Sequence, residues 1–266
     1  MERQARLTRL WPAEDYRERW RRLLAWLDAR PGERVLDVGC RHGAALRYVA
    51  RSVGGTGRAV GLEVRPDLLA ALREEWASGR APVAAVVGLA QALPFRAGSF
   101  DAALCVNVLE AVPPPERVGA LRELRRILQP AGRALVAHDD WESLVYAGAD
   151  RDLTRRSVRA YADATLGSYA ASDGQMGRHL LGLMRAAGFR DVEVRALPLV
   201  NTDYRQPLCG WVHSRFDAGL VAEVSDLTQQ ELDDWRAQLQ AASDRGEYFF
   251  CATLYACLGR AETTLS

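Results

Sequence analysis

The stretch Val35-Leu36-Asp37-Val38-Gly39-Cys40-Arg41-His42-Gly43-Ala44-Ala45-Leu46 decides the fold. Its first residues continue the short apolar run Arg34–Val38, which reads as a buried strand, and its end enters Ala44–Ser52, which reads as a helix. Between them Gly39 permits a tight turn, and Gly43 permits close approach at the helix start. A glycine-bearing turn from strand to helix is where an open α/β sheet receives a ligand.

The residue types narrow the ligand. A dinucleotide site uses G-x-G-x-x-G to seat a pyrophosphate on a helix N-terminus, and the spacing here differs. Asp37 stands at the strand end, where a carboxylate would repel a pyrophosphate. It suits a cation, such as the amino-acid end of S-adenosylmethionine, whose ammonium it can hold directly or through water. A second acid, Glu63, ends the strand Ala59–Glu63 one β-α unit later. A carboxylate there can accept both ribose hydroxyls. Either acid alone reads as a loop cap; the two together, each at a strand end, read as a ligand site.

Outward from this loop, strands and helices alternate. Pro12–Ala29 is an amphipathic helix with Trp20, Leu23, Leu24 and Leu27 on one face, ended by Pro31-Gly32. A helix from Asp67 to about Ser78 leads to strands Val83–Val87 and Phe100–Val106. Pro115 opens a helix to about Leu128, Pro130-Ala131-Gly132 stops it, and Arg133–His138 is the fifth strand. This alternation predicts a Rossmann-like, mostly parallel sheet with helices on both faces. Later come helices at Leu153–Leu166, Gln175–Ala187, Arg205–Val224 and Thr228–Ala242, and strands at Asp191–Val200 and Tyr248–Leu258. The pattern fits a single domain over 1–266, with 1–30 as a helical cover and 142–175 and 201–246 as helical insertions near an acceptor pocket.

Composition bounds the function. The chain has 266 residues, 48% apolar and 26% charged, with a net charge of +1. That is an ordinary globular balance, with no field that would imply nucleic acid. All the basic residues are Arg, which reads as codon bias. The N-terminus lacks an apolar signal core, and no run of about 18 apolar residues exists, so a cytoplasmic protein without membrane insertion is expected. Cys40, Cys105, Cys209, Cys251 and Cys257 form no C-x-x-C pair and read as reduced cysteines; no metal is expected.

Taken together, VLDVGCRHG, GRAVGLEVRPDLL, GLAQALPF and SFDAALCVNVLEAVPPPERVGALRELRRILQPAGRALVA resemble the class I S-adenosylmethionine-dependent methyltransferases. They are most similar to the ubiquinone/menaquinone-biosynthesis type and its actinobacterial small-molecule relatives, over about Arg30 to Phe189. The resemblance implies a seven-stranded sheet whose last strand, Tyr248–Leu258, runs antiparallel. It implies that Asp37, Gly39, Cys40, Arg41 and Gly43 form the methionine-side loop. Glu63 would hold the ribose, with Val64 on the adenine and Leu89, Ala90 and Gln91 along its edge. Asn107 and Val108 would line the cofactor floor. The sequence departs from the family at Arg41, where the loop usually has glycine. It also departs at Leu89, where an acid usually meets the adenine, and at Ala111, where a histidine is common.

Methyl transfer from a sulfonium is an in-line displacement, so the protein mainly aligns and desolvates the reactants. A base is needed only if the acceptor atom holds its proton. His138 and Asp139, with Trp141, are expected just after strand five, with His138 or Asp139 as base or orienting group. Tyr16, Trp20, Trp141, Trp211 and His213 are the candidate acceptor-binding residues. The leading function is methylation of an O, N or C atom of a small metabolite, in specialised metabolism by family analogy. Its partner is a small-molecule acceptor, and homodimerisation is left open. The alternative is a cofactor-binding protein of the same fold that transfers no methyl, motivated by Arg41 and Leu89. A nicotinamide dehydrogenase is disfavoured by Asp37.

Overall fold

The computed structural model describes residues 13–77, 83–165, 173–215 and 224–262. In chain order the elements are α1 (Glu14–Leu27), β1 (Arg34–Val38), α2 (Ala44–Val53), β2 (Arg58–Glu63), α3 (Pro66–Ala77), β3 (Val83–Val87) and β4 (Phe100–Val106). Two short 3-10 turns, Leu109–Ala111 and Pro114–Glu116, lead into α4 (Arg117–Arg126). Then come β5 (Leu128–Ala147), α5 (Arg151–Thr165), α6 (Met176–Ala186), β6 (Arg190–Asn201), α7 (Cys209–Ser214), α8 (Gln229–Asp244) and β7 (Phe249–Arg260).

The seven strands form one sheet in the order β3-β2-β1-β4-β5-β7-β6, mostly parallel with an antiparallel last strand. In β1 every residue after Arg34 is buried, as a central parallel strand covered on both faces requires. The parallel registers place Val38 opposite Leu62 and Cys105, and Val106 opposite Ala137. The carboxyl ends of β1, β2, β4 and the parallel part of β5 therefore lie at one level. The order changes direction at β1, which makes that level the place for a ligand.

By contacts the chain divides into two compact units. The first comprises Arg22–His138, Arg178–Arg195 and Tyr255–Ser266; the second comprises Met1–Arg21, Asp139–Gly177 and Ala196–Leu254. The first unit is built on aliphatic packing: Val35, Leu36, Leu46, Val49, Val53, Leu62, Leu104 and Leu135 are all buried. Arg133 ties its floor, donating to the Leu27 carbonyl and through Nη1 to Glu33 at 2.9 Å. The second unit has an aromatic core. Tyr146 packs against Trp235 and Phe250 with ring centroids 5.0 and 4.7 Å apart. The Trp235 indole donates to Thr154 Oγ1 at 3.0 Å, and the Tyr146 hydroxyl donates to the Gly210 carbonyl at 2.9 Å.

Four expectations need correction. Pro130-Ala131-Gly132 does not precede the fifth strand but lies inside it. Ala131 takes a positive φ of 61°, and the pairing with β4 shifts register between Phe100 and Ala102. A bulge thus absorbs the residues that read as a stop. At its other end β5 continues past His138 through Asp139 and Trp141 to Ala147, so Asp139 and Trp141 are strand residues rather than the loop after it. The helix expected over Arg205–Val224 starts at Cys209 and, among the described residues, ends at Ser214; residues 216–223 lie outside the described residues. It starts late because side chains take its first amides. Asp15 accepts from Cys209 N–H at 3.2 Å and Asn201 from Gly210 N–H at 2.8 Å. Thr228 caps α8 in a reciprocal box with Glu231 rather than lying inside the helix.

Candidate active site

In the first unit, the loop after β1 curls through three left-handed residues: Gly39, Arg41 and Gly43, with φ of 75°, 47° and 68°. The Gly39 and Cys40 amides both donate to the Leu62 carbonyl, at 2.7 and 3.1 Å, pinning the loop to the end of β2. A Cβ on Gly39 would lie 2.4 Å from Val108 Cγ2, so only glycine lets the β4 loop approach this closely. Gly43 leads into α2, whose N-terminus carries no side-chain cap. The first amides of α2 are thus left for another acceptor.

Asp37, the penultimate residue of β1, is buried, and its Oδ2 has no hydrogen-bond partner among the described residues. Burial, and then the charge of Glu63, push its carboxyl up from 3.8 to about 8. An unpartnered buried acid is costly on its own and is suited to an incoming cation. Burial, with the charges of Asp37 and Glu63, also raises the Cys40 thiol, so Cys40 is a packing group and not a thiolate. A buried acid beside uncapped helix amides complements an amino-acid zwitterion, ammonium to Asp37 and carboxylate to α2.

Glu63 is buried at the end of β2. It accepts the Arg41 amide on Oε2 and the Arg65 amide on Oε1, each at 3.1 Å. Each oxygen keeps capacity for one more donor, which fits a vicinal diol. Beside it, Val64 and Leu89 are 56% and 51% exposed, and Val87 is exposed too. These apolar side chains cluster at the ends of β2 and β3, where a flat heterocycle could cover them. Ala90 lies in the tight turn between Leu89 and Ala92, closed by the Ala92 amide on the Leu89 carbonyl at 3.2 Å. The Gln91 amide group donates to Glu116 Oε2 at 3.0 Å and is not held toward Leu89. Asn107 takes φ 54° and donates its backbone N–H to Ala137 at 3.0 Å. The residues present therefore fit S-adenosylmethionine at each of its ends.

His138, also in this unit, is buried with its Nε2 3.4 Å from Glu110 Oε2. Glu110 was not singled out from sequence, although it stands in the Leu-Glu of the strand-four motif.

The second unit holds the other candidates. Asp139 Oδ1 lies 2.9 Å from Arg19 Nη1, and both side chains are buried. Burial opposes the charge on Arg19, but Asp139 and Tyr16 outweigh it and raise its pKa. Arg19 gave no signal in the sequence, where it read as one polar residue of an amphipathic helix. Tyr16 is buried under the Arg19 guanidinium, 5.4 Å from the ring centroid, and meets Trp20 edge-on at 6.2 Å. Burial, then the Asp139 charge, raise the Tyr16 phenol. Trp141 meets Tyr161 and His213 at 5.7 and 5.5 Å, and its buried Nε1 has no hydrogen-bond partner among the described residues. His213 shares a 2.8 Å hydrogen bond through Nδ1 with the Tyr161 hydroxyl. Burial lowers its pKa to about 4, against the opposing charge of Asp139. Trp211 is partly buried, with Arg215 stacked 4.3 Å from its ring centroid. Tyr16 and Trp141 thus belong to one hydrophobic cluster with Trp20 and Trp211 packed against it, and the His213 ring meets its Trp141, Tyr161 and Phe250. A groove of about 850 Å³ between β5 and α5 holds none of the predicted site residues.

Residues 35–132 match the family model of a methyltransferase domain. The chain is 31% identical over 241 residues to an uncharacterized 37.1 kDa protein in transposon TN4556 of Streptomyces fradiae, covering 90% of this chain and 66% of that one. It is 31% identical over 190 residues to 2-phytyl-1,4-naphtoquinone methyltransferase of Synechococcus elongatus, covering 64% of this chain and 77% of that one. With nocamycin O-methyltransferase of Saccharothrix syringae it shares 36% over 121 residues, 45% of this chain and 42% of that one. The chain therefore spans less than two thirds of the length of the first and third of these relatives. Among solved structures, the YcgJ protein of Bacillus superposes with a TM-score of 0.60 at 15% identity, over 92% of this chain and 99% of that one.

Proposed function

The chain belongs to the class I S-adenosylmethionine-dependent methyltransferases, and from that premise we propose that it methylates an O, N or C atom of a small metabolite. The observation that carries this is the buried Asp37 Oδ2, unpartnered among the described residues, beside the uncapped start of α2, with Glu63 one strand away. When bound, S-adenosylmethionine supplies an electrophilic methyl group on a sulfonium. Asp37 holds the ammonium, the α2 amides the carboxylate, Glu63 the ribose hydroxyls, and Val64 with Leu89 the adenine face. Arg41 supports rather than blocks the site. It adopts the left-handed turn that glycine would take and gives its amide to Glu63.

The acceptor side of the proposal rests on Tyr16, Trp20, Trp141, Trp211 and His213, an aromatic set suited to a planar, partly apolar metabolite. Specialised metabolism is the setting in keeping with a relative named for nocamycin. A near-zero net charge supports a protein that does not seek nucleic acid. Among the described residues no helix is long and apolar enough to cross a membrane. A cytoplasmic location and a single functional domain, open to homodimerisation, complete the proposal. Its test is calorimetry with S-adenosylmethionine and S-adenosylhomocysteine, followed by S-adenosylhomocysteine release with a panel of phenols, quinols and amines. Failure of both cofactor forms to bind would overturn the reading. Binding without release to any acceptor would favour a non-transferring protein of the same fold.

A further inference from the structure

We infer that Glu110 and His138 form the proton-accepting pair of the reaction, His138 taking the proton and Glu110 positioning the imidazole and balancing its charge; this rests on the methyl-transfer reading above. An acceptor atom X that starts as X–H exchanges one proton for one methyl group. The electron pair of the X–H bond becomes available for the new X–C bond, and the proton must leave on a base. After product departure the imidazolium returns that proton to solvent.

The assignment comes from placement and elimination. The turn Leu109–Ala111 follows directly on Asn107 and Val108 at the end of β4. The β4·β5 register puts Val106 opposite Ala137, and β1·β4 puts Val38 opposite Cys105. Glu110 and His138 therefore come off neighbouring strands at the sheet level where Asp37 stands. Their side chains are both buried, 3.4 Å apart. Stability alone would not select such a pair, since apolar residues of the same volume do as well or better. Buried ionisable groups brought together at strand ends are candidates for function. The other candidates stand in different surroundings. Asp139 is held by Arg19 at 2.9 Å. His213 is bound to Tyr161, and burial disfavours its charged form. His42 and His179 are exposed.

The test reads the pair directly. Histidine imidazoles are isotope-labelled in the full chain, His138 is assigned with His138→Gln, and each is titrated by NMR with S-adenosylhomocysteine bound. Glu110→Gln should move the His138 midpoint to lower pH and leave the other three histidines in place. Glu110→Asp, which keeps the charge, should leave the midpoint between the two and serves if Glu110→Gln folds poorly. In turnover with an acceptor from the phenol panel, the acidic limb of kcat should move in the same direction, and His138→Gln should lower kcat by about 10²-fold or more. A His138 midpoint indifferent to both Glu110 variants would overturn the pair. Calorimetry on the same samples separates the two claims. Retained S-adenosylhomocysteine binding with an unmoved midpoint sinks only the pair, whereas no binding by the wild-type protein sinks the methyltransferase reading beneath it.

Discussion

An Asp37→Asn substitution should stabilise the ligand-free protein while weakening its hold on the cofactor. Burial and the neighbouring Glu63 raise the Asp37 carboxyl from 3.8 to about 8, which corresponds to about 6 kcal/mol of disfavoured charge. The sign follows from proton counting. Between these two values the folded state holds a proton that the unfolded state has lost, so stability falls as pH rises from about 4 to about 8 and levels off above. At pH 7 the realised cost is about 4 kcal/mol. Asparagine keeps the shape and carries no charge, so it removes that cost. For a chain of this size the gain corresponds to an increase of about 10 °C in Tm at pH 7. At pH 5 only about 2 kcal/mol is recovered. The assay is thermal unfolding of both proteins, without ligand, from pH 4.5 to 9. A stability difference that does not grow with pH, or a variant less stable than the wild type at pH 7, would refute the account of Asp37 as an isolated buried acid.

Other outcomes follow from the same geometry. Arg19→Leu leaves Asp139 buried without its cation and should cost about 3–5 kcal/mol, whereas Arg19→Leu with Asp139→Leu should recover most of it; a denaturant double-mutant cycle measures the coupling. His213 is lowered to about 4 by burial, so as pH falls from 6.5 to 4 the unfolded chain gains a proton that the folded one refuses. That removes about 3 kcal/mol, and His213→Phe should flatten this part of the stability profile. Arg41→Gly relieves a left-handed non-glycine residue and should be neutral or stabilising by up to about 1 kcal/mol, with cofactor affinity unchanged by calorimetry.

Much of the first unit was legible because its chemistry is local. β1, β3 and β4 begin and end where the apolar runs do, and Asp37 and Glu63 announce themselves by standing at strand ends. β5 departs from its sequence pattern for two physical reasons. Its proline and glycine sit in a bulge that the chain tolerates through one left-handed alanine. Its polar stretch from His138 to Glu142 reads as an exit from the sheet, yet His138, Asp139 and Asp140 are buried. What makes that burial affordable lies far off in sequence: Arg19 is 120 residues from Asp139, and Glu110 is a turn residue on another strand's end. No periodicity within β5 can reveal such partners. The late start of α7 has the same origin, since its cap comes from Asp15 and Asn201.

The central claim is that Asp37 waits, protonated, for the ammonium of S-adenosylmethionine. It is tested most directly by calorimetric titration of S-adenosylmethionine at pH 7 in two buffers of different ionisation enthalpy. The account predicts binding accompanied by release of about one proton, with Asp37→Asn releasing none and binding about tenfold to a hundredfold more weakly. Binding of NADH in place of S-adenosylmethionine, or wild-type binding with no proton release, would contradict it.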